Sequence, residues 1–241
     1  MPSPPSAVLL DVGGVFLLPS RAHIRSALEQ VGHFVDDDSE IDRAHYVAAR
    51  VFPMDLDGDD EWMGRHWTRY LEVYANYLGV PEERAEEAVE HLRNEYVTGW
   101  LWSHEIEGSR EGLRRLADSG VDVGVVSNSD GTIEQRLLES GILQVGQGNG
   151  VEVLCLVDSG AVGVEKPDPR IFDFALEVLG VDKEEVWYVG DTPGFDVTGA
   201  RRAGLTPILM DPFDVNGDLG VTTVESLTHV AEMIEAGRQP G

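Results

Sequence analysis

Four polar residues stand at the ends of short apolar runs that are typical of buried strands. They are Asp11, Ser127, Asn128 and Asp191. Because ligands of an open parallel sheet bind beyond the carboxyl ends of its strands, we expect these side chains to meet at one edge of a sheet. Lys166, one of two lysines in the chain, precedes a predicted helix and is expected at the same edge.

These residue types suit an anionic substrate such as a phosphate ester. Lys166 supplies a positive point charge, and Ser127 with nearby backbone N–H groups supplies hydrogen-bond donors. Asp11 and Asp191, with Asp196 close by, would repel one another unless a divalent cation lay between them, and carboxylate oxygens are ligands that Mg²⁺ accepts. A carboxylate that faces a metal-bound phosphoryl group can also act as its nucleophile.

The elements that must position these residues follow an alternating order. From about residue 105 onward, short apolar strands alternate with helices, which predicts a doubly wound parallel α/β sheet. Including the first strand, strands are expected near 8–10, 121–126, 152–157, 186–189 and 207–210. The helices that follow them are expected over 132–139, 169–179, 195–203 and 225–236.

Between the first strand and residue 105, apolar residues recur at the helical spacing of three and four residues and predict four helices. A run of four helices is too long for a simple crossover, so we expect a helical module at 19–104 inserted into a core formed by 7–18 and 105–236. Aromatic residues at helical spacing are interpreted as the core of this module: Trp62, Trp67, Tyr70 and Tyr74. Four others fit a hinge or a pocket lining equally well: His66, Trp100, Trp102 and His104.

Composition excludes several classes of protein. The formal charge of −26 and the pI of about 4.4 disfavour nucleic acid and anionic membranes as partners. No apolar run is long enough to span a bilayer, and the first residues lack the basic segment of a signal peptide, so we expect a cytoplasmic protein that is a monomer or a homodimer. The single Cys155 excludes an internal disulfide and is expected in the core. The acid-rich segments 36–38 and 55–61 lack the ligand spacing of a calcium loop and are expected to be solvated.

Four motifs in this order resemble those of the haloacid dehalogenase-like (HAD) hydrolase superfamily, in the group with a helical cap after the first strand. They are LLDVGGV at 9–15, VVSN at 125–128, EKPDPRIF at 165–172 and VGDTPGFD at 189–196. The resemblance extends over residues 7–236. It implies a Rossmann-like core, a helical lid that excludes water, and a Mg²⁺-dependent phosphomonoesterase that acts on a small metabolite.

The resemblance also implies a role for each matching residue. Asp11 would be the nucleophile, through an aspartyl-phosphate, and the first metal ligand. The backbone carbonyl of Gly13 and the carboxylates of Asp191 and Asp196 would complete the protein's metal ligands, with Asp196 binding directly or through water. The phosphoryl group would be held by residues of the second and third motifs: Ser127, Asn128 and Lys166.

The sequence departs from the family pattern at Gly13. Family phosphatases usually carry a second Asp at this position, as the acid for the leaving alcohol and the base for the hydrolytic water. General acid–base catalysis contributes about 10²–10⁴-fold, so we expect a slow enzyme. A phenolic or otherwise acidic leaving group would need this acid less, and a histidine of the cap could replace it.

Two alternatives remain open at this stage. A 2-haloacid dehalogenase also uses an Asp nucleophile but works without metal, and the retained Asp191 argues against it. A phosphate-binding sensor or interaction protein on the same scaffold, weak or inactive in catalysis, would explain Gly13. The retention of Asp11, Lys166 and Asp191 together argues against that second alternative.

Overall fold

The computed structural model describes residues 2–52, 60–98 and 101–238, and the side chains of all of these except 60–65 and 96–98. Most of the acid-rich segment 55–61, Trp100 and the side chain of Trp62 therefore lie outside the described residues.

Short strands and amphipathic helices alternate through most of the described chain. The strands are β1 (Ala7–Leu10), β2 (Leu17–Pro19), β3 (Trp102–Glu105), β4 (Asp122–Ser127), β5 (Leu143–Val145), β6 (Val151–Val153), β7 (Cys155–Asp158), β8 (Val186–Gly190), β9 (Thr206–Met210) and β10 (Thr222–Val224). The helices are α1 (Arg21–Gln30), α2 (Asp38–Ala49), α3 (Asp60–Tyr77), α4 (Glu82–Thr98), α5 (Ser109–Asp118), α6 (Ile133–Glu139), α7 (Ser159–Val162), α8 (Arg170–Leu179), α9 (Thr198–Ala203) and α10 (Leu227–Arg238).

The centre of the fold is a six-stranded sheet in the order β10-β9-β8-β1-β4-β7. Each neighbouring pair is parallel, and β1 lies between β4 and β8, with Leu9 opposite Gly124 on one side and Tyr188 on the other. This arrangement confirms the predicted doubly wound α/β fold. It also brings the carboxyl ends of β1, β4 and β8 together.

Both faces of the sheet are covered, which explains why its inner strands are mostly apolar. Val8 and Leu10 of β1 pack on one face in a cluster that includes residues of α5 and α10. Ala7 and Leu9 pack on the other face with residues of α8 and α9. Cys155 is buried in this second cluster, as expected.

The predicted strand at 152–157 is wrong as a single element. It divides at Leu154 into β6, which pairs with β5 in a separate two-stranded sheet, and β7, which joins the central sheet beside β4. The Leu154 side chain is exposed, while its N–H donates to the carbonyl of Val123 at 2.8 Å. Apolar residues continue from Val153 to Val157 across this division, so the sequence does not mark it.

A second correction concerns the segment after β8. The helix expected over 195–203 begins at Thr198, because residues Pro193–Val197 form a π-helical turn. The short strands β2, β3, β5 and β10 were not predicted, since three or four residues carry little periodic signal.

We define the helical segment as α1 to α4. It has its own apolar core, which includes Ile24, Leu28, Ile41 and Tyr74. The chain leaves the sheet through β2 and returns through β3, and these two strands pair in antiparallel orientation. Entry and exit therefore lie side by side, directly above the end of β1.

The acid-rich segment 36–38 is exposed to solvent, as expected, and it also stabilises the start of helix α2. Asp37 caps α2 by accepting from the N–H of Ser39 at 2.8 Å. Asp38 forms ion pairs with Arg21, at 2.9 Å, and with Arg25.

Among the helices of the described residues, none is both long and apolar enough to cross a membrane.

Candidate active site

The predicted residues at the strand ends surround one cavity of about 650 Å³. Asp11 follows β1, Ser127 ends β4 and Asp191 follows β8, and all three are buried. The cavity is also lined by Gly13, Asn128 and Lys166. Asp196, from the π-helical turn, is buried behind Lys166 and outside the cavity wall.

Lys166 is 1% exposed and is surrounded by oxygen atoms. Its Nζ lies 2.9 Å from Asp11 Oδ2 and donates to Asp196 Oδ1 at 2.8 Å and to the Tyr188 hydroxyl at 2.7 Å. Burial would lower the pKa of Lys166, but the two carboxylates outweigh it and raise that pKa above its usual value. Lys166 is therefore a fixed positive charge beside Asp11.

Asn128 positions the lysine through the backbone. Its Oδ1 accepts from the N–H of Lys166 at 2.8 Å, and its Nδ2 donates to the carbonyl of the same residue at 3.0 Å. This pair of bonds fastens the loop that carries Lys166 to the end of β4. The contact that the structure gives Asn128 is thus with the lysine backbone, although its side chain also lines the cavity.

Asp11 is held in one orientation, since its Oδ1 accepts from the N–H of Val12 at 2.8 Å. Asp196 is held by the N–H of Thr192 at 2.8 Å and by Lys166. Burial, with the charges of Asp11 and Asp191, raises the pKa of Asp196 to about 7 in spite of Lys166.

Asp191 has an unsatisfied oxygen. Its Oδ1 accepts from the Thr192 hydroxyl at 3.3 Å. Its Oδ2 lies 2.9 Å from Nε2 of His45, an ion-pair distance without the alignment of a hydrogen bond, so both buried atoms lack a hydrogen-bond partner among the described residues. The other ring nitrogen, Nδ1, lies 2.8 Å from the Tyr70 hydroxyl.

These residues fit a divalent cation. Asp11, Asp191 and Asp196 each offer a carboxylate oxygen within 4.8 Å of the others, and all three side chains are buried. Three acids beside one lysine leave excess negative charge, and Asp191 Oδ2 is a buried acceptor without a donor. A hard cation with a preference for oxygen ligands satisfies both conditions.

Gly13 stands at the position where the family pattern carries an acid. The space beside it is bordered by an indole ring. A Cβ on Gly13 would lie 3.1 Å from Nε1 of Trp102, the first residue of β3. Trp102, which fitted a hinge or a pocket lining equally well, lines the cavity. His66 and His104 are not among its lining residues.

The helical segment and the chain next to it contribute residues that sequence reasoning missed. His45, Phe52 and Leu101 line the cavity together with Trp67 and Tyr70, and Phe195 joins them from the π-helical turn after β8. The core prediction is nevertheless confirmed for Tyr70 and Tyr74, and Trp67 packs against that core. A signal for His45 exists, because it falls on the buried face of α2 between Ala44 and Ala48, where a polar residue is unexpected.

Comparisons with known proteins identify the family of the chain. A family model for the haloacid dehalogenase-like hydrolases matches residues 5–204. A phosphoserine phosphatase from Thermus thermophilus is 31% identical over 163 residues, which cover 68% of this chain and 61% of that protein. A phosphoglycolate phosphatase from Pseudomonas savastanoi is 25% identical over 142 residues, 59% of this chain and 50% of that protein. The matches thus span between half and two thirds of these relatives.

Solved structures share the fold. The HAD hydrolase YfnB from Bacillus subtilis, bound to magnesium, has a TM-score of 0.60 at 20% identity, with 95% of this chain and 97% of that chain covered. A 2-haloacid dehalogenase from Pseudomonas syringae has a TM-score of 0.53 at 17% identity, with 98% and 99% covered. At such identities the likeness concerns the fold alone, whereas the family model covers most of the chain. The chain belongs to the haloacid dehalogenase-like hydrolase family.

Proposed function

We propose that this chain is a Mg²⁺-dependent phosphomonoesterase that acts on a small phosphorylated molecule, with Asp11 as its nucleophile. The observation that carries the proposal is the buried group at the sheet edge, in which Asp11 faces Lys166 at 2.9 Å and Asp191 keeps an unsatisfied oxygen. The names of the phosphatase relatives support the reaction class.

Each residue then has a defined task. Asp11 attacks the phosphorus atom, and the N–H of Val12 fixes its carboxylate in place. Lys166 and the hydroxyl of Ser127 bind the phosphoryl oxygens, and Asn128 holds the lysine loop. Asp11, the Gly13 carbonyl, Asp191 and Asp196 would hold Mg²⁺, which supplies positive charge against the phosphoryl oxygens.

We also propose that residues 19–104 act as a cap on a core formed by 7–18 and 105–236. Two contacts from α2 support this role. Tyr46 donates from its hydroxyl to the carbonyl of Gly14 at 2.9 Å, and His45 reaches Asp191. Trp67 and Tyr70 of α3 line the same cavity as Asp11, so the cap can exclude water from the reacting phosphoryl group.

A second candidate is a phosphate-binding protein that does not turn over its ligand. The contact between Trp102 and Gly13 favours it, because the indole lies where the usual catalytic acid would project. The buried Asp11 and Lys166 favour the enzyme, since a binding site gains nothing from a carboxylate directed at an anionic ligand.

Phosphate release from a panel of phosphomonoesters, measured with Mg²⁺ and with EDTA, tests the proposal. We expect Mg²⁺-dependent release that is lost in Asp11→Asn, a substitution that keeps the shape of the side chain. Release that persists in Asp11→Asn would refute the assigned nucleophile. Binding of inorganic phosphate without any release would favour the second candidate, and halide release from 2-haloacids in EDTA would favour a dehalogenase.

A further inference from the structure

Part of the cavity wall is aromatic. It is formed by Phe52, Trp67, Tyr70, Trp102 and Phe195. Trp67 and Trp102 are half-buried, with ring centroids 6.0 Å apart and nearly perpendicular, and the Tyr70 ring is stacked at 6.4 Å from that of Trp102. The half-buried rings of Trp67 and Trp102 offer apolar surface to a ligand in the cavity.

Positive charge is confined to the sheet side of the cavity. Among the described lining residues, the helical segment contributes neither lysine nor arginine. Of the two cationic residues on the sheet side, Lys166 faces Asp11, and Arg136 forms an ion pair with Asp130 at 3.1 Å. A leaving group that carries its own carboxylate would lose its hydration here without gaining a cation from the cap.

The contact at Gly13 limits the leaving group in a second way. With no carboxyl at this position and the Trp102 indole beside it, the acid of the family pattern is missing from its usual place. A leaving group that departs as a stable anion does not need that proton. Phenols meet this requirement, and aliphatic alcohols do not.

We propose that the cavity takes phosphate monoesters of phenols, with the aryl ring against Trp67 and Trp102 and the phosphoryl group beside the Asp11–Lys166 pair. This inference rests on the proposed function. An Asp11 oxygen bonds to phosphorus while the bond between phosphorus and the phenolic oxygen breaks, and its electron pair leaves with the phenolate. Water then attacks the same phosphorus, which restores the Asp11 carboxylate and releases dihydrogen phosphate.

Binding tests recognition of the ring without any turnover. Phenylphosphonate and methylphosphonate, which cannot be hydrolysed at the phosphorus–carbon bond, are titrated into the full chain by calorimetry in the presence of Mg²⁺. We expect phenylphosphonate to bind about tenfold more tightly, and Trp67→Leu to remove most of that preference. The control Phe34→Leu changes an exposed aromatic side chain that is outside the cavity and is expected to keep the preference. Equal affinities in the unsubstituted chain would overturn the inference.

Turnover separates recognition of the ring from the need for a good leaving group. Phenyl, benzyl and cyclohexyl phosphate are compared by kcat and KM, because benzyl phosphate keeps the ring but leaves as an alcohol. We expect the kcat/KM of phenyl phosphate to exceed those of both alkyl esters by about 100-fold or more, because this ratio reports the step in which the leaving group departs, and the KM of benzyl phosphate to be lower than that of cyclohexyl phosphate.

The possible failures are distinguishable. Phosphoserine or phosphoglycolate hydrolysed as efficiently as phenyl phosphate would overturn the inference and leave the proposed phosphatase intact. No hydrolysis of any ester, together with tighter binding of phenylphosphonate, would remove the proposed function while the recognition of an aryl group stands.

Discussion

His45 Nε2, on helix α2, lies 2.9 Å from Oδ2 of Asp191, beyond the end of strand β8. This contact joins the helical segment to the sheet edge at the carboxylate with the unsatisfied oxygen. The Tyr70 hydroxyl, 2.8 Å from the other ring nitrogen, fixes the orientation of the imidazole. Groups that contact a metal ligand without binding the metal themselves typically change metal affinity or activity by about 10–100-fold when they are removed.

We therefore expect His45→Ala to weaken Mg²⁺ binding by about 10–100-fold, because Asp191 loses the neighbour that orients it. Magnesium titrations followed by calorimetry measure the effect. His33→Ala is the matched control, since His33 also belongs to the helical part of the chain but contacts the carbonyl of Leu78 at 2.8 Å, away from the site. An equal effect of both substitutions would show that the contact with Asp191 has no specific role.

Magnesium should stabilise the folded chain through Asp191. At a concentration 100 times the dissociation constant, a ligand that binds only the folded state adds about 2.7 kcal/mol to the free energy of unfolding. We expect Mg²⁺ to raise the melting temperature of the unsubstituted chain and of Asp122→Asn, an exposed acid at the start of β4. We expect Asp191→Asn to lose most of this rise, and an undiminished rise would argue against Asp191 as a ligand.

Gly14 lies against the same carboxylate. It has a φ of +65°, and a Cβ there would lie 2.2 Å from Cγ of Asp191. Gly180, at the end of α8, has a similar φ of +64° and no atom within 4 Å of such a Cβ. Gly180→Ala should cost about 1–2 kcal/mol from the backbone conformation alone.

Gly14→Ala should cost more than Gly180→Ala and should also weaken Mg²⁺ binding, because Asp191 must move. Urea unfolding measures the first effect and calorimetry the second. If the two substitutions cost the same unfolding free energy and Gly14→Ala left the Mg²⁺ affinity unchanged, Asp191 could move without consequence. That result would contradict a metal site in which the position of Asp191 is fixed.

The two lysines of the chain offer a direct comparison of buried and exposed charge. Lys166→Met removes the cation beside Asp11 and Asp196 and should cost about 3–5 kcal/mol of unfolding free energy in EDTA, since it leaves buried carboxylates uncompensated. Lys183 is exposed, so Lys183→Met should change that free energy by less than about 0.5 kcal/mol. Equal costs for the two substitutions in denaturant titrations would contradict the account of the buried charge cluster.

The residues on the sheet side of the site could be predicted because the end of a buried strand can be located in the sequence. An apolar run that stops at Asp11 or Asp191 fixes where that carboxylate leaves the sheet, and the parallel order places these ends together. The division at Leu154 could not be predicted in this way, because apolar residues continue from Val153 to Val157 and only the pairing partner differs.

The cap side of the site could not be predicted, because helical periodicity identifies a buried face without saying what covers it. Tyr70 is 2% exposed and belongs to the core of the helical segment, yet it also lines the cavity. Trp102 reaches Gly13 only because β2 and β3 pair and return the chain above the end of β1. These positions depend on contacts between distant parts of the chain, which local spacing does not encode.

The central claim is that Asp11 becomes phosphorylated during turnover. Rapid acid quenching of the full chain with Mg²⁺ and phenyl phosphate, followed by peptide mass spectrometry, measures this directly. The account predicts a phosphoryl group on the peptide that contains Asp11, absent in Asp11→Asn and absent in EDTA. Phosphate release in steady state with no phosphoryl group on that peptide at any quench time, or with the group on another residue, would contradict it.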